Sequence, residues 1–115
     1  MSDRLHKWLI DIILAIDEIE GYYIDDKTFE FFKSDKIRKK ASERNLEIIG
    51  EAMNRILNNT PEIQITNARR IVNFRNTIIH TYDAISDENV WSVIINHLPT
   101  LKQEVEIIIN NNYKK

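Results

Sequence analysis

Residues 75–82, Arg-Asn-Thr-Ile-Ile-His-Thr-Tyr, place four reactive or hydrogen-bonding side chains at the end of an apolar helical segment. They are the guanidinium of Arg75, the amide of Asn76, the imidazole of His80 and the phenol of Tyr82. Unpaired polar groups are costly in a protein core, so this cluster indicates either a function or a set of structural partners. Arginine can hold a phosphate bidentately and histidine titrates near neutral pH, so the pair favours chemistry at an anionic phosphate.

The same side chains also have structural interpretations. Arg75 could form a buried ion pair with Glu47 or Glu51 of the preceding long helix, and His80 could be satisfied by backbone carbonyls at a helix end. The spacing alone leaves the functional and the structural interpretations open.

The apolar spacing predicts helices throughout the chain, which has only two glycines and two prolines for turns. A first helix stops near Gly21 and carries an apolar stripe at Leu5, Leu9, Ile12, Ile16 and Ile19. A short aromatic-rich helix covers residues 27–32, and a long helix begins at Ser34 or Asp35 and ends near Leu57. Residues 58–61 form a loop.

A fourth helix, residues 68–79, leads into the polar cluster. Ser86 is a helix N-cap that opens a last helix extending through Ile108, and we expect a kink in it at Pro99. The predicted fold class is therefore all-α: an antiparallel bundle of four main helices plus a short helix, with residues 1–115 as a single domain.

Helix geometry constrains how the cluster can act. Asn76 and His80 are four residues apart and share a helix face, so the amide can orient the ring. Arg75 lies on the apolar face, about 140° away from His80 on a regular helix. Both can meet one phosphate only if the helix ends near His80 or if a second subunit completes the site.

Composition narrows the class of protein. The chain is 43% apolar and 30% charged, has no cysteine and carries a net charge of −2, which is typical of a soluble globular protein without disulfides or thiolate metal sites. No run resembles a signal peptide or a membrane span, so we expect a cytoplasmic protein. The middle of the chain is nevertheless basic, a pattern that fits either a polyanion-binding sector or a solvated helix face. Its cations include Lys36, Arg38, Lys39, Lys40, Arg44, Arg69, Arg70 and Arg75.

With these residues in view, the chain resembles the HepT-like branch of the HEPN superfamily. The signature of that branch, Arg, four residues, His, any residue, Tyr, is complete here as Arg75, His80 and Tyr82. Residues 44–52 resemble the long-helix segment of the family, and residues 90–91 and 97–101 resemble its last helix. The resemblance covers nearly the whole chain, and it implies a HEPN-like helical fold.

The resemblance implies a ribonuclease toxin of a toxin–antitoxin pair, an endoribonuclease that uses neither metal nor cofactor. RNA would be cut in the cleft of a homodimer by Arg75 and His80, with Asn76 in support. The cognate antitoxin would be an MntA-type nucleotidyltransferase that silences the toxin by transferring AMP onto Tyr82.

Two alternatives remain open from the sequence. Related helical domains act as non-catalytic nucleotide-binding or docking partners of a nucleotidyltransferase, in which case the motif is only an anion or modification site. A purely structural helical dimer would require Arg75 and His80 to be buried and far apart.

Other polar and aromatic residues favour structural roles. His97 follows Ile94 by three residues on the last apolar stripe, so we expect a core histidine, and His6 lies far from the motif in sequence. Glu47 and Glu51 are more typical of a helix surface, or of partners for Arg75, than of a metal site. The remaining large aromatic residues indicate core or dimer interface; they are Trp8, Phe29, Phe31, Phe32 and Trp91.

Overall fold

The computed structural model describes residues 1–80 and 86–113, and for residues 79, 80 and 113 it describes the backbone alone. The helical segments are α1 (Asp3–Tyr22), α2 (Phe29–Ser34), α3 (Lys36–Asn59), α4 (Ala68–His80), α5 (Asp87–Ser92), a π-helical turn (Val93–His97) and α6 (Leu98–Tyr113). The described residues contain no strand, and the predicted all-α helical bundle is confirmed.

Side-chain caps set four of the helix starts. Each capping oxygen accepts the backbone N–H three residues further on, which satisfies a donor that the first helical turn leaves free. Asp35 accepts from Arg38 at 3.0 Å, so α3 starts where the sequence placed it, near Ser34 or Asp35. Ser86 accepts from Asn89 at 3.2 Å and is the predicted N-cap of α5. Ser2 and Thr28 cap α1 and α2 in the same way.

The helices pack around one apolar cluster. α1 lies against both α3 and α6, and α3 also packs against α4, so α3 connects the two halves of the bundle. Successive long helices are antiparallel, as expected for connections this short. The most completely buried side chains come from α1, α3 and the last helices, and they include Leu9, Ile12, Ile16, Ile19, Ile49, Met53, Ile56, Val90 and Val105.

The last helix is irregular just before Pro99, where the sequence predicted a kink. Proline has no N–H and its ring crowds the carbonyl four residues earlier, so a regular α-helical turn is disfavoured there. The chain instead forms the π-helical turn, in which Leu98 N–H donates to the carbonyl of Val93, five residues back.

None of the helices in the described part of the chain combines the length and the apolar character that crossing a bilayer requires.

Candidate active site

The close approach of α3 to α4 fixes the base of the Arg75 side chain. Gly50 of α3 faces Arg75, and a Cβ built at Gly50 would overlap the Cβ and Cγ of Arg75 and lie 3.4 Å from the carbonyl oxygen of Ile71. Only glycine therefore lets the arginine stem lie directly on α3. The sequence placed Gly50 within a family-like segment but gave no sign of this contact.

The Arg75 guanidinium has a neutral partner. Its NH1 group donates to the Oδ1 atom of Asn76 at 2.8 Å, and its Nε is buried with no partner among the described residues. Glu47 instead pairs with Arg44 at 3.4 Å, and Glu51 pairs with Arg55 at 2.8 Å.

The alternative in which Glu47 or Glu51 neutralises Arg75 is therefore wrong. A guanidinium offers five N–H donors, and a buried donor left unpaired costs about 1–3 kcal/mol. Within the described residues, Arg75 therefore has no carboxylate partner, and several of its N–H donors are unpaired there, which is what an anion-binding residue needs.

The contact with Arg75 also orients Asn76. Because a guanidinium can only donate, the Asn76 atom that faces it must be the amide oxygen. The NH2 group of Asn76 therefore points away from Arg75 and remains a donor for another acceptor.

His80 and Tyr82 fall at and beyond the limit of the described structure. His80 is the last residue of α4, four residues after Asn76 and so on the same helix face, and its side chain lies outside the described residues. Tyr82 lies outside them entirely. The helix places Arg75 and position 80 about 140° apart, as the sequence predicted.

The chain that follows the motif is anchored where α5 begins. Lys39 of α3 forms an ion pair with Asp87 at 2.7 Å, and the Trp91 ring lies 5.2 Å from the rings of both Tyr23 and Phe32. Tyr23 and Phe32 are buried in the core, so this cluster is structural, in agreement with the sequence interpretation. The described residues on either side of the undescribed segment 81–85 are therefore both fixed, Arg75 by its contact with Gly50 and the start of α5 by the ion pair and the aromatic cluster.

Glu43 lies half-buried near this anchor. Burial raises the pKa of its carboxyl group; Lys39 lowers it, and Asp87 and Glu47 raise it further. Glu43 was not singled out from the sequence, because the burial of its carboxyl group arises only in the folded chain.

The basic sector predicted from the sequence is partly neutralised. Arg38 pairs with Asp35 at 2.6 Å, and Lys39 and Arg44 have the acidic partners already described. Of the cations named for this sector, four exposed ones form no ion pair within the described residues; they are Lys36, Lys40, Arg69 and Arg70.

His97 does not occupy the core position predicted for it. It is exposed, and the buried position is taken by Leu98. The π-helical turn rotates less per residue than an α-helix, so His97 does not reach the apolar stripe that begins at Ile94.

Within residues 1–80 and 86–113, no three His, Asp or Glu side chains are grouped to hold a metal ion.

Comparison with known proteins establishes the family. The profile of the family described as "Ribonuclease HepT-like" matches residues 12–108. The chain is 33% identical to "Putative RNase MJ0127" of Methanocaldococcus jannaschii over 90% of this chain and 86% of that protein. It is 36% identical to "Probable ribonuclease HepT" of Thermococcus cleftensis over 90% of this chain and 94% of that protein. No solved structure matches the chain. The chain belongs to the ribonuclease HepT-like family.

Proposed function

We propose that this protein is an endoribonuclease toxin that cleaves RNA without a metal ion in the cleft of a homodimer. The observation that carries the proposal is the state of Arg75: half-buried, paired with a neutral amide, and with a buried Nε that lacks a partner among the described residues. Family membership and the names of the relatives support the choice of RNA as the substrate.

The reaction follows from what RNA itself supplies. The 2′-hydroxyl loses its proton to a base and attacks the adjacent phosphorus, while the 5′-oxygen leaves and takes a proton from an acid. The products are a 2′,3′-cyclic phosphate and a 5′-hydroxyl. His80 would transfer these protons, and Arg75 would stabilise the charge that develops on the phosphoryl oxygens.

Asn76 would act beside them as a supporting residue. Its oxygen is held by Arg75, so its NH2 group is the part available to donate to the His80 ring or to a phosphoryl oxygen. In either case the amide would position the reacting groups without transferring a proton itself.

A homodimer would resolve two problems. The first is that cleavage needs an acid and a base, whereas the motif holds one histidine. The second is that Arg75 and position 80 diverge on α4. A twofold dimer would bring two copies of the motif together, so that one cleft receives both His80 side chains.

Silencing would occur at Tyr82. An MntA-type nucleotidyltransferase would transfer AMP from ATP onto the phenol oxygen and release pyrophosphate. The added phosphate is anionic and would compete with RNA for the free donors of Arg75. The assignment of Tyr82 is supported by the motif and by family membership.

Expression of the chain alone separates the enzyme from a non-catalytic docking partner. We expect growth arrest that His80→Ala abolishes while the purified variant keeps its helical circular dichroism and melting temperature. A harmless wild-type chain that instead stimulates its nucleotidyltransferase would favour the docking partner.

A further inference from the structure

A cavity of about 230 Å³ separates α4 from the π-helical turn and the start of α6. Leu46 and Ile49 of α3 and Phe74 of α4 give it apolar walls. Sites for small molecules typically have volumes of about 300–1,000 Å³, with apolar walls and a few polar groups. This cavity is slightly smaller, which suits a single heterocycle.

The cavity is lined by Glu104, whose carboxylate the fold leaves incompletely paired. Its Oε2 atom accepts from the backbone N–H of Thr66 at 3.1 Å and from its hydroxyl at 2.9 Å. Its Oε1 atom is buried and has no donor among the described residues. Because Oε1 has almost no accessible surface, a ligand N–H reaches it only after the Glu104 carboxylate turns toward the cavity. That contact would remove the cost of an unpaired buried acceptor, whereas a ligand carbonyl would be repelled.

The exposed edge of the cavity, here called its mouth, carries basic side chains, in contrast to the acidic Glu104. Arg70 and His97 line the cavity, are exposed and form no hydrogen bond or ion pair within the described parts of the chain. A guanidinium and an imidazole that line the same cavity can both bind a phosphate group. The cavity therefore combines an apolar slot, a buried acceptor and a cationic mouth.

We propose that this cavity binds one nucleotide unit, with its base between the apolar walls, a base N–H at Glu104 Oε1 and its phosphate at Arg70 and His97. Guanine fits best, because its ring N–H and its amino group are adjacent donors. The ring N–H of uracil lies between two carbonyls that Oε1 repels. The nucleotide is either free or part of an RNA strand, and the proposal concerns binding alone, so it stands independently of cleavage.

Titration of the full chain with GMP and with XMP, which has a carbonyl in place of the guanine amino group, tests the role of Glu104. In Glu104→Gln the amide oxygen can still accept from Thr66, which places the NH2 group where Oε1 was. We expect GMP affinity to fall about tenfold or more, as for loss of a hydrogen bond to a charged group, and XMP affinity to rise. Glu106→Gln, an exposed position on the same helix, should change neither.

A second pair of variants tests the mouth without disturbing the fold. Arg70→Ala should weaken GMP severalfold and leave guanosine unaffected, because guanosine has no phosphate. Arg69→Ala removes an equally exposed cation outside the cavity and should behave as wild type. A short RNA with one unpaired guanine, compared with the same RNA carrying uracil, distinguishes a strand from a free nucleotide.

The proposal is supported if GMP or the guanine-containing RNA binds and both cavity variants weaken that binding while both controls do not. It is overturned if neither probe binds to 1 mM, or if the cavity variants bind as the controls do. It is equally overturned if Phe74→Ala converts a dimer to a monomer in sedimentation, since the cavity would then be an interface between two copies of the chain.

Discussion

The partner of Arg75 determines what this residue can do. A carboxylate at hydrogen-bonding distance would have made Arg75 half of a structural ion pair, and removing either partner would then leave an unpaired buried charge. Asn76 instead fixes one guanidinium group and leaves the charge uncompensated among the described residues. Residue type alone did not decide between these two outcomes.

Asn76→Asp tests that distinction directly. The new carboxylate would sit 2.8 Å from Arg75 NH1, where Asn76 Oδ1 lies now, and would neutralise the guanidinium. We expect a fall in RNA cleavage of about tenfold or more with an unchanged or higher melting temperature, because a charged hydrogen bond replaces a neutral one. Asn110→Asp adds the same charge at an exposed position of α6 and should cleave as wild type. An Asn76→Asp variant with full activity would contradict the role given to Arg75.

At the scale of helices, the geometry of the site depends on how closely α3 approaches α4. Gly50 permits that contact, and the Lys39–Asp87 ion pair and Trp91 hold the start of α5 on the other side of the motif. A larger residue at position 50 should therefore disturb stability and activity together.

Gly50→Ala provides the test. Its Cβ would overlap the Arg75 side chain, so the helices must shift, which typically costs about 1–3 kcal/mol of unfolding free energy. We expect denaturant unfolding to report that loss and RNA cleavage to fall with it. Gly21→Ala is the matched control: nothing lies within 4 Å of its Cβ, so it should be neutral or slightly stabilising. Equal behaviour of the two variants would show that the close approach is unimportant.

The α3–α5 junction predicts a pH dependence of stability. Because burial raises the pKa of Glu43 in the folded chain, folding binds a proton between the normal and the raised pKa, and stability falls as pH rises through that window. Glu43→Gln should therefore raise the melting temperature at pH 7 and have little effect below about pH 4, where the carboxyl is protonated in both states. Glu62→Gln, at an exposed loop position, should show no such difference. This account would be contradicted if the melting temperature of Glu43→Gln, measured relative to wild type at the same pH, were lower at pH 7 than at pH 4.

Much of the helical architecture could be predicted from local signals. The start of α3 near Asp35, the cap at Ser86 and the apolar stripe of α1 are encoded by neighbouring residues, and the structure confirms them. What the sequence did not provide depends on packing between distant segments: the Gly50 contact, the environment of Glu43, and the cavity beside α4. His97 was misplaced because a π-helical turn breaks the regular spacing on which the prediction relied.

At the scale of the whole molecule, the cations are not uniformly available to a polyanion. The net charge is −2, and several cations in the basic middle of the chain are already paired within α3 or with α5. Binding of RNA would then depend on the few cations that form no ion pair within the described residues, such as Arg70 and Arg75. We therefore expect a modest dependence on salt compared with strongly basic nucleic-acid-binding proteins.

Mixing experiments test the dimer. If one cleft needs both copies of His80, heterodimers of wild-type and His80→Ala chains are inactive. Cleavage at constant total protein should then fall with the square of the wild-type fraction after subunit exchange. A linear dependence on that fraction would show that each chain cleaves alone.

The central claim is that Arg75 and His80 cleave RNA without a metal ion, and one measurement tests it most directly. Purified chain, free of any nucleotidyltransferase, is incubated with RNA in excess chelator, and the new ends are analysed by mass spectrometry. The account predicts cleavage that leaves 2′,3′-cyclic phosphate ends and that His80→Ala reduces by at least about a hundredfold, the usual contribution of a general acid–base residue. Cleavage that appears only on addition of a divalent metal, or that persists undiminished in His80→Ala, would contradict it.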